Sequence, residues 1–140
     1  FLLLLSLLFI SIETAPTETN PLVKKIQDLF SAEQPKTEKD ENRVQCYIMF
    51  CRFEDKEGCK KECVAFAEHV DPEYKKKAQE GAMDSGLKTE AECVERFRYA
   101  LVPGKESERV IAHLCAIHFS YPDRKDFLDQ LKEAMRATAH

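Results

Sequence analysis

No stretch of this chain alternates apolar and polar residues with the β-branched enrichment of a half-buried strand, and no unit of sequence repeats. Sheet and solenoid architectures are thereby set aside, and helices remain. A block of one charge is also missing. Lys and Arg are interspersed with Asp and Glu and the formal charge is −4, so the basic patch or stripe of a nucleic-acid-binding surface is not there. The longest basic run, Lys75, Lys76 and Lys77, reads as a solvated helix face and not as a membrane-binding stripe. GxSxG, P-loop and GxGxxG patterns are missing too. His113 and His118 are five apart, which places them on different helix faces, unlike the i, i+4 metal pair of HExxH. The carboxylates sit in helix-surface patterns with Lys and Arg, and no catalytic pair stands out. We therefore expect no enzyme, no catalytic residue, no cofactor and no metal. Asn20 precedes Pro21 and Asn42 precedes Arg43 and Val44, so no N-glycan acceptor occurs.

What is present begins with an apolar block, Phe1 to Ile12, FLLLLSLLFISI. It has the length of a signal-peptide h-region and falls short of the roughly 20 residues a membrane-spanning helix needs. We expect residues 1–15 to be a signal peptide, truncated at its N-terminus and cleaved between Ala15 and Thr17, and the mature chain not to insert into a membrane. Residues 16–41 read as a polar lead, a first helix and a linker. Residues 42–140 read as a six-cysteine helical domain packed with that first helix. All six cysteines, Cys46, Cys51, Cys59, Cys63, Cys93 and Cys115, follow the leader. An even count in a short secreted chain argues for three disulfides, and six cysteines allow 15 pairings. Cys46-x4-Cys51 with Cys59-x3-Cys63 could imitate a four-cysteine zinc site, but an oxidising compartment favours bridges.

The stretch Val44 to Phe53, VQCYIMFCRF, is the expected centre. At 100° per residue Cys46, Phe50 and Phe53 share one side, and Val44, Tyr47, Ile48 and Cys51 the other. A helix apolar all round has to be wrapped by other helices. Its two cysteines, roughly 140° apart about the axis, point at different neighbours. We place this helix from Asp40–Asn42 to Asp55, after a linker from Glu33 to Glu41. Before it, Asn20-Pro21 starts an amphipathic helix with Leu22, Ile26, Leu29 and Phe30. After it, Gly58 opens a helix with the stripe Cys59, Cys63, Phe66 and Val70, and Asp71-Pro72 a polar one carrying Tyr74 and Ala78. Thr89-Glu90-Ala91-Glu92 is a capping box, with Cys93 and Phe97 following. Ser107 is the expected N-cap of a second apolar helix, VIAHLCAIHF, which should lie against the first. Pro122 opens the last, with Phe127, Leu128, Leu131, Ala134 and Met135 on one side. The fold class is all-α, a single disulfide-stapled bundle of about six or seven short helices around two apolar ones. Cys59 and Cys63 are expected to bridge to two different helices, and Cys115 to reach the central helix or the Cys59 helix.

Aromatic and apolar side chains exceed what one helix seam needs, and three staples could hold a helical shell open around a cavity. Met49, Phe50, Phe53, Phe97, His113 and Phe119 are the expected ligand-binding residues of such a cavity. Cys59-x3-Cys63-x29-Cys93 resembles the spacing of the second to fourth cysteines of the insect odorant- and pheromone-binding proteins. The resemblance implies a helical shell that binds a small apolar ligand. It does not extend to the remaining cysteines: Cys46 and Cys51 lie too close to Cys59 to serve as that family's first, and only Cys115 follows Cys93. The expected function is a secreted, extracellular carrier or scavenger of a small hydrophobic molecule. The rival is a secreted signalling, immune-modulating or venom-type protein acting through its surface on an extracellular protein receptor. A cavity of several hundred Å3 would favour the first, and a close-packed centre the second.

Overall fold

In a computed structural model, which describes residues 21–73 and 88–138 and side chains as far as Ala134, the chain forms an all-α bundle. The expected signal peptide and polar lead, the polar helix after Pro72 and the side chain of Met135 lie outside the described residues. Six α-helices are described: α1 Pro21–Glu33, α2 Glu38–Cys51, α3 Cys59–Glu68, α4 Glu90–Arg98, α5 Lys105–Phe119 and α6 Arg124–Thr138. A single 3-10 turn, Lys56–Gly58, precedes α3. Extended pairing among the described residues is limited to one antiparallel bridge, Val70 with Leu101. There the Asp71 N–H donates to the Ala100 carbonyl and the Val102 N–H to the His69 carbonyl, both at 2.8 Å.

Helix α2 is the centre, as its composition requires. From Asn42 to Cys51 only Arg43 and Tyr47 are more than marginally exposed, and Val44, Cys46, Ile48, Phe50 and Cys51 are buried. Its boundaries differ from those expected. Thr37 caps the N-terminus, its hydroxyl accepting from the Asp40 N–H at 3.1 Å, and Glu38, Asp40 and Glu41 place negative charge at the positive end of the helix dipole. The linker is therefore shorter than the polar run suggested. At the other end Arg52 and Phe53 adopt left-handed backbone, φ 54° and 65°. This turns the chain after Cys51, and Phe53 is not on the face shared by Cys46 and Phe50.

The turn sends the chain back along α2 as α3, and both bridges of this hairpin run between the two helices. Cys46 pairs with Cys63 and Cys51 with Cys59, with Cα separations of 5.6 and 5.7 Å. The expectation that Cys59 and Cys63 serve different helices is thus corrected. In an antiparallel pair the axial spacing decides the pairing. Five residues on α2 rise about 7.5 Å and four on α3 about 6 Å, close enough for two nested bridges despite the angular difference. The third bridge, Cys93–Cys115, joins α4 to α5, so Cys115 reaches neither the central helix nor the Cys59 helix. Lys39 near the start of α2 and Glu68 at the end of α3 form an ion pair at 2.7 Å, fixing the far end of the hairpin.

Helix α5 lies against α2, as its apolar run suggested, and covers α3 and α4 as well. Val110, Ile111, Leu114, Cys115, Ile117 and His118 are buried, while Ala112 and Ala116 face outward, so the run has a solvent side made of small residues. It starts at Lys105, before the expected cap. Ser107 sits inside the first turn, its hydroxyl donating to the Val102 carbonyl at 2.6 Å. Thr89 caps α4 as expected, accepting from the Glu92 N–H at 3.1 Å, but the Glu92 carboxylate takes the Lys88 N–H and not that of Thr89. Helices α1 and α6 carry no cysteine and are held by packing, through Leu22, Val23, Ile26 and Phe30 on one and Phe127, Leu131 and Ala134 on the other. Arg52 ties α6 to the end of α2. Its guanidinium makes a two-pronged pair with Asp123 and lies 4.4 Å from the Phe127 ring centroid.

The Cys93–Cys115 loop spans 22 residues and the Cys51–Cys59 loop 8. Replacing Cys93 and Cys115 together by Ala should lower unfolding free energy by about 3 kcal/mol, and replacing Cys51 and Cys59 by only about 2, from loop-closure entropy. Urea melts of the two double variants check the order.

Candidate functional site

Three of the six expected ligand-binding residues converge. Met49 and Phe50 from α2 and Phe97 from α4 line one cleft with His118 from α5 and Leu128 from α6. Its empty space is about 180 Å3, including the part open to solvent. The Phe50 ring stands edge-to-face to Phe97 with centroids 4.9 Å apart, and packs against Phe66 at 6.2 Å and His118 at 6.2 Å. Most of the expected aromatic surplus is therefore engaged in ring–ring packing inside the core.

The other three lie elsewhere. Phe53, displaced by the left-handed turn, is partly buried beneath Lys25, whose Nζ is 5.9 Å from the ring centroid. Phe119 is at the end of α5, edge-to-face with His118 on one side and capped by the Arg124 guanidinium at 4.3 Å on the other. His113 is on the flank of α5 and turns toward α3, where its Nδ1 pairs with the Glu62 carboxylate.

Sequence reasoning missed His118 and Glu62. His118 is 2 % exposed and its Nδ1 has no hydrogen-bond partner among the described residues. Burial, reinforced by the charges of Arg124 and Arg52, pulls its pKa down to about 4, so the imidazole is neutral at ordinary pH. The signal was there in spacing, because His118 follows Leu114 and Cys115 by four and three residues and so shares their buried face.

Glu62 follows Cys59 by three and is also buried, at 6 % exposure. Arg109 donates to both of its oxygens at 2.8 and 3.0 Å, and also to Glu106 at 2.6 Å. Burial by itself would raise the Glu62 carboxyl, but the hydrogen bonds from Arg109 and His113, with their charges, outweigh it and hold the pKa below the usual range. An imidazole oriented by a carboxylate in this way holds a metal ion only with further ligands. Among the described residues the one group of three potential metal ligands within 4.8 Å is Cys51, Cys59 and Cys63, and those sulfurs are in bridges. The Cys51 and Cys63 sulfurs, from separate bridges, lie 3.6 Å apart.

Two outcomes follow from these buried groups. His118 has a folded pKa below its unfolded value near 6.5, so the unfolded chain takes up the extra proton. Its contribution is fully present above about pH 6.5 and is lost as pH falls toward 4, by roughly 3 kcal/mol at most. Thermal melts from pH 7 to 4.5 should show this fall in the wild type and a shallower one in His118→Phe. Glu62→Gln removes the negative charge and turns one of the two acceptor oxygens shared by Arg109 and His113 into a donor, and should cost about 1–3 kcal/mol at pH 7, read from urea unfolding.

No protein-family model matches the chain, and no similar curated protein or solved structure was found.

Proposed function

We propose that this chain is a secreted, non-enzymatic interaction protein, of the signalling, immune-modulating or venom type, that acts through its surface on an extracellular protein receptor. The observation that carries this reading is the filled centre. Phe30, Phe50, Phe66, Ile26, Ile48, Leu114 and Ile117 are all fully buried against one another. The cleft at Met49 offers about 180 Å3 even with its open side counted, below the roughly 300–1,000 Å3 of sites that enclose a drug-sized ligand. Three disulfides and the apolar leader support export to an oxidising compartment. No described helix is long and apolar enough to cross a membrane.

The carrier reading keeps one specific support, the convergence of Met49, Phe50 and Phe97 on a common cleft. Native mass spectrometry of protein recovered from extracellular medium separates the two. The expected result is the mass of the oxidised polypeptide alone, no displacement of a fluorescent apolar probe, and saturable binding of labelled protein to intact cell surfaces that reduction abolishes. A lipid-sized adduct displaced by the probe would replace this reading with the carrier.

A further inference from the structure

All three disulfides lie within the four helices α2 to α5, and α6 carries no cysteine. We propose that α6 is an acid-released cover: when His118, at the seam between α5 and α6, takes up a proton, α6 leaves the core while the bridged helices stay folded. This goes beyond the receptor-binding reading and does not depend on it.

The start of α6 is held by cations. Arg52, in the turn after α2, donates to both oxygens of Asp123, the second at 2.9 Å, and lies 4.4 Å from the Phe127 ring centroid. Arg124, the first residue of α6, lies 4.3 Å from the centroid of Phe119. His118 belongs to the same seam. Its ring meets Phe50 from α2 and Phe119 of its own helix, and it shares a cleft with Met49 of α2, Phe97 of α4 and Leu128 of α6. The charges that bear on it are those of Arg124 and Arg52, both positive, and its Nδ1 has no hydrogen-bond partner among the described residues. A proton on this ring therefore sits in an apolar site beside two like charges. Departure of α6 takes Arg124 and Leu128 away and lets the imidazolium reach water.

The acid window belongs to this histidine. In water an imidazole titrates near 6.5, and in the closed bundle burial and the two arginines hold His118 at about 4. The closed state is favoured in full above about pH 6.5, and that advantage is lost as pH falls toward 4, because the open state binds the extra proton. Asp123, through its hydrogen bond from Arg52, titrates below the usual carboxylate range. So does Glu62, through those from Arg109 and His113 and against the effect of burial. The anchor of α6 and the seam between α3 and α5 thus keep their negative charges while His118 is being protonated. What stays behind is cross-linked, with α3 bridged twice to α2, α5 bridged to α4, and Arg109 of α5 gripping Glu62 of α3. What is uncovered is the apolar face of α6, Phe127, Leu131 and Ala134, and the part of the core beneath it.

The test is amide hydrogen exchange of the oxidised chain at pH 7, 6 and 5 in low urea, expressed as protection factors so that the intrinsic pH dependence of exchange cancels. Local openings respond weakly to denaturant and global unfolding strongly. The α6 amides from Leu128 to Ala134 should be less protected than those of α3 by at least about ten-fold and show a weak urea dependence. Their protection should fall about 20-fold between pH 7 and 5, the factor that titration near 6.5 in the open state against about 4 in the closed state requires. His118→Phe should leave α6 protection level over that range, and His118→Gln, which is also neutral throughout, takes its place if the first variant does not fold. Equal protection and equal urea dependence in α6 and α3 would mean that acid acts only on global unfolding, and overturns the proposal. So does α6 protection that does not change with pH in the wild type, or that falls as steeply in the variant.

Discussion

The double bridging of α2 to α3 is the constraint on which the remaining structure depends. A helix buried on nearly every side cannot be stable alone, and α2 has neither the length nor an outward polar face to hold it in water. Cys46–Cys63 and Cys51–Cys59 fix α3 against it at two levels, so one neighbour is in place however the others pack. That fixes the position of Phe66 against Phe50 and of Glu62 beside α5. The left-handed pair Arg52 and Phe53 belongs to the same device, because only a tight reversal after Cys51 brings Cys59 back within reach of it. Arg52 then serves twice, turning the chain and holding Asp123 and Phe127 of the α6 region.

Helix α5 carries two histidines whose surroundings set them to different tasks. His113, on the flank, meets a carboxylate that Arg109 also grips, so a charge is kept in a place where a lone carboxylate would be neutralised by burial. His118, five residues on, faces Phe50 and Phe119 and finds cations nearby, so it stays neutral. Five residues turn a helix by roughly 140°, and here that rotation separates a polar seam from an apolar cleft. Among the described residues only His118 Nδ1 is a fully buried side-chain polar atom without a hydrogen-bond partner.

The helices and their buried faces were legible in the sequence because helical periodicity survives any later packing. Leu22, Ile26 and Phe30, Cys59, Cys63 and Phe66, and Phe127 and Leu131 are buried as their spacing indicates. The bridge pattern was not legible. Rotation about a single axis suggested different neighbours for Cys46 and Cys51, whereas axial rise across an antiparallel pair decided the matter. Phe53 was misplaced because nothing in VQCYIMFCRF marks Cys51 as the last helical residue. The stop is imposed by the short return to Cys59. The cleft was half legible for a related reason. Met49, Phe50 and Phe97 sit at core-facing positions within their helices, but Phe53 and Phe119 lie at or beyond helix ends, where direction depends on the turn that follows. His113 required knowing which side of α5 faces α3.

Stapling a helical shell makes a hollow centre possible without making it favourable. Disulfides act mainly by restricting the unfolded chain, so they raise the stability of whatever native state forms and do not choose between a filled and an empty core. That choice belongs to packing, where each unfilled volume forfeits dispersion contacts and leaves apolar surface poorly covered. A chain with Phe50, Phe66, Ile48, Leu114 and Ile117 converging on its axis gains more by closing than by staying open, and they are fully buried here.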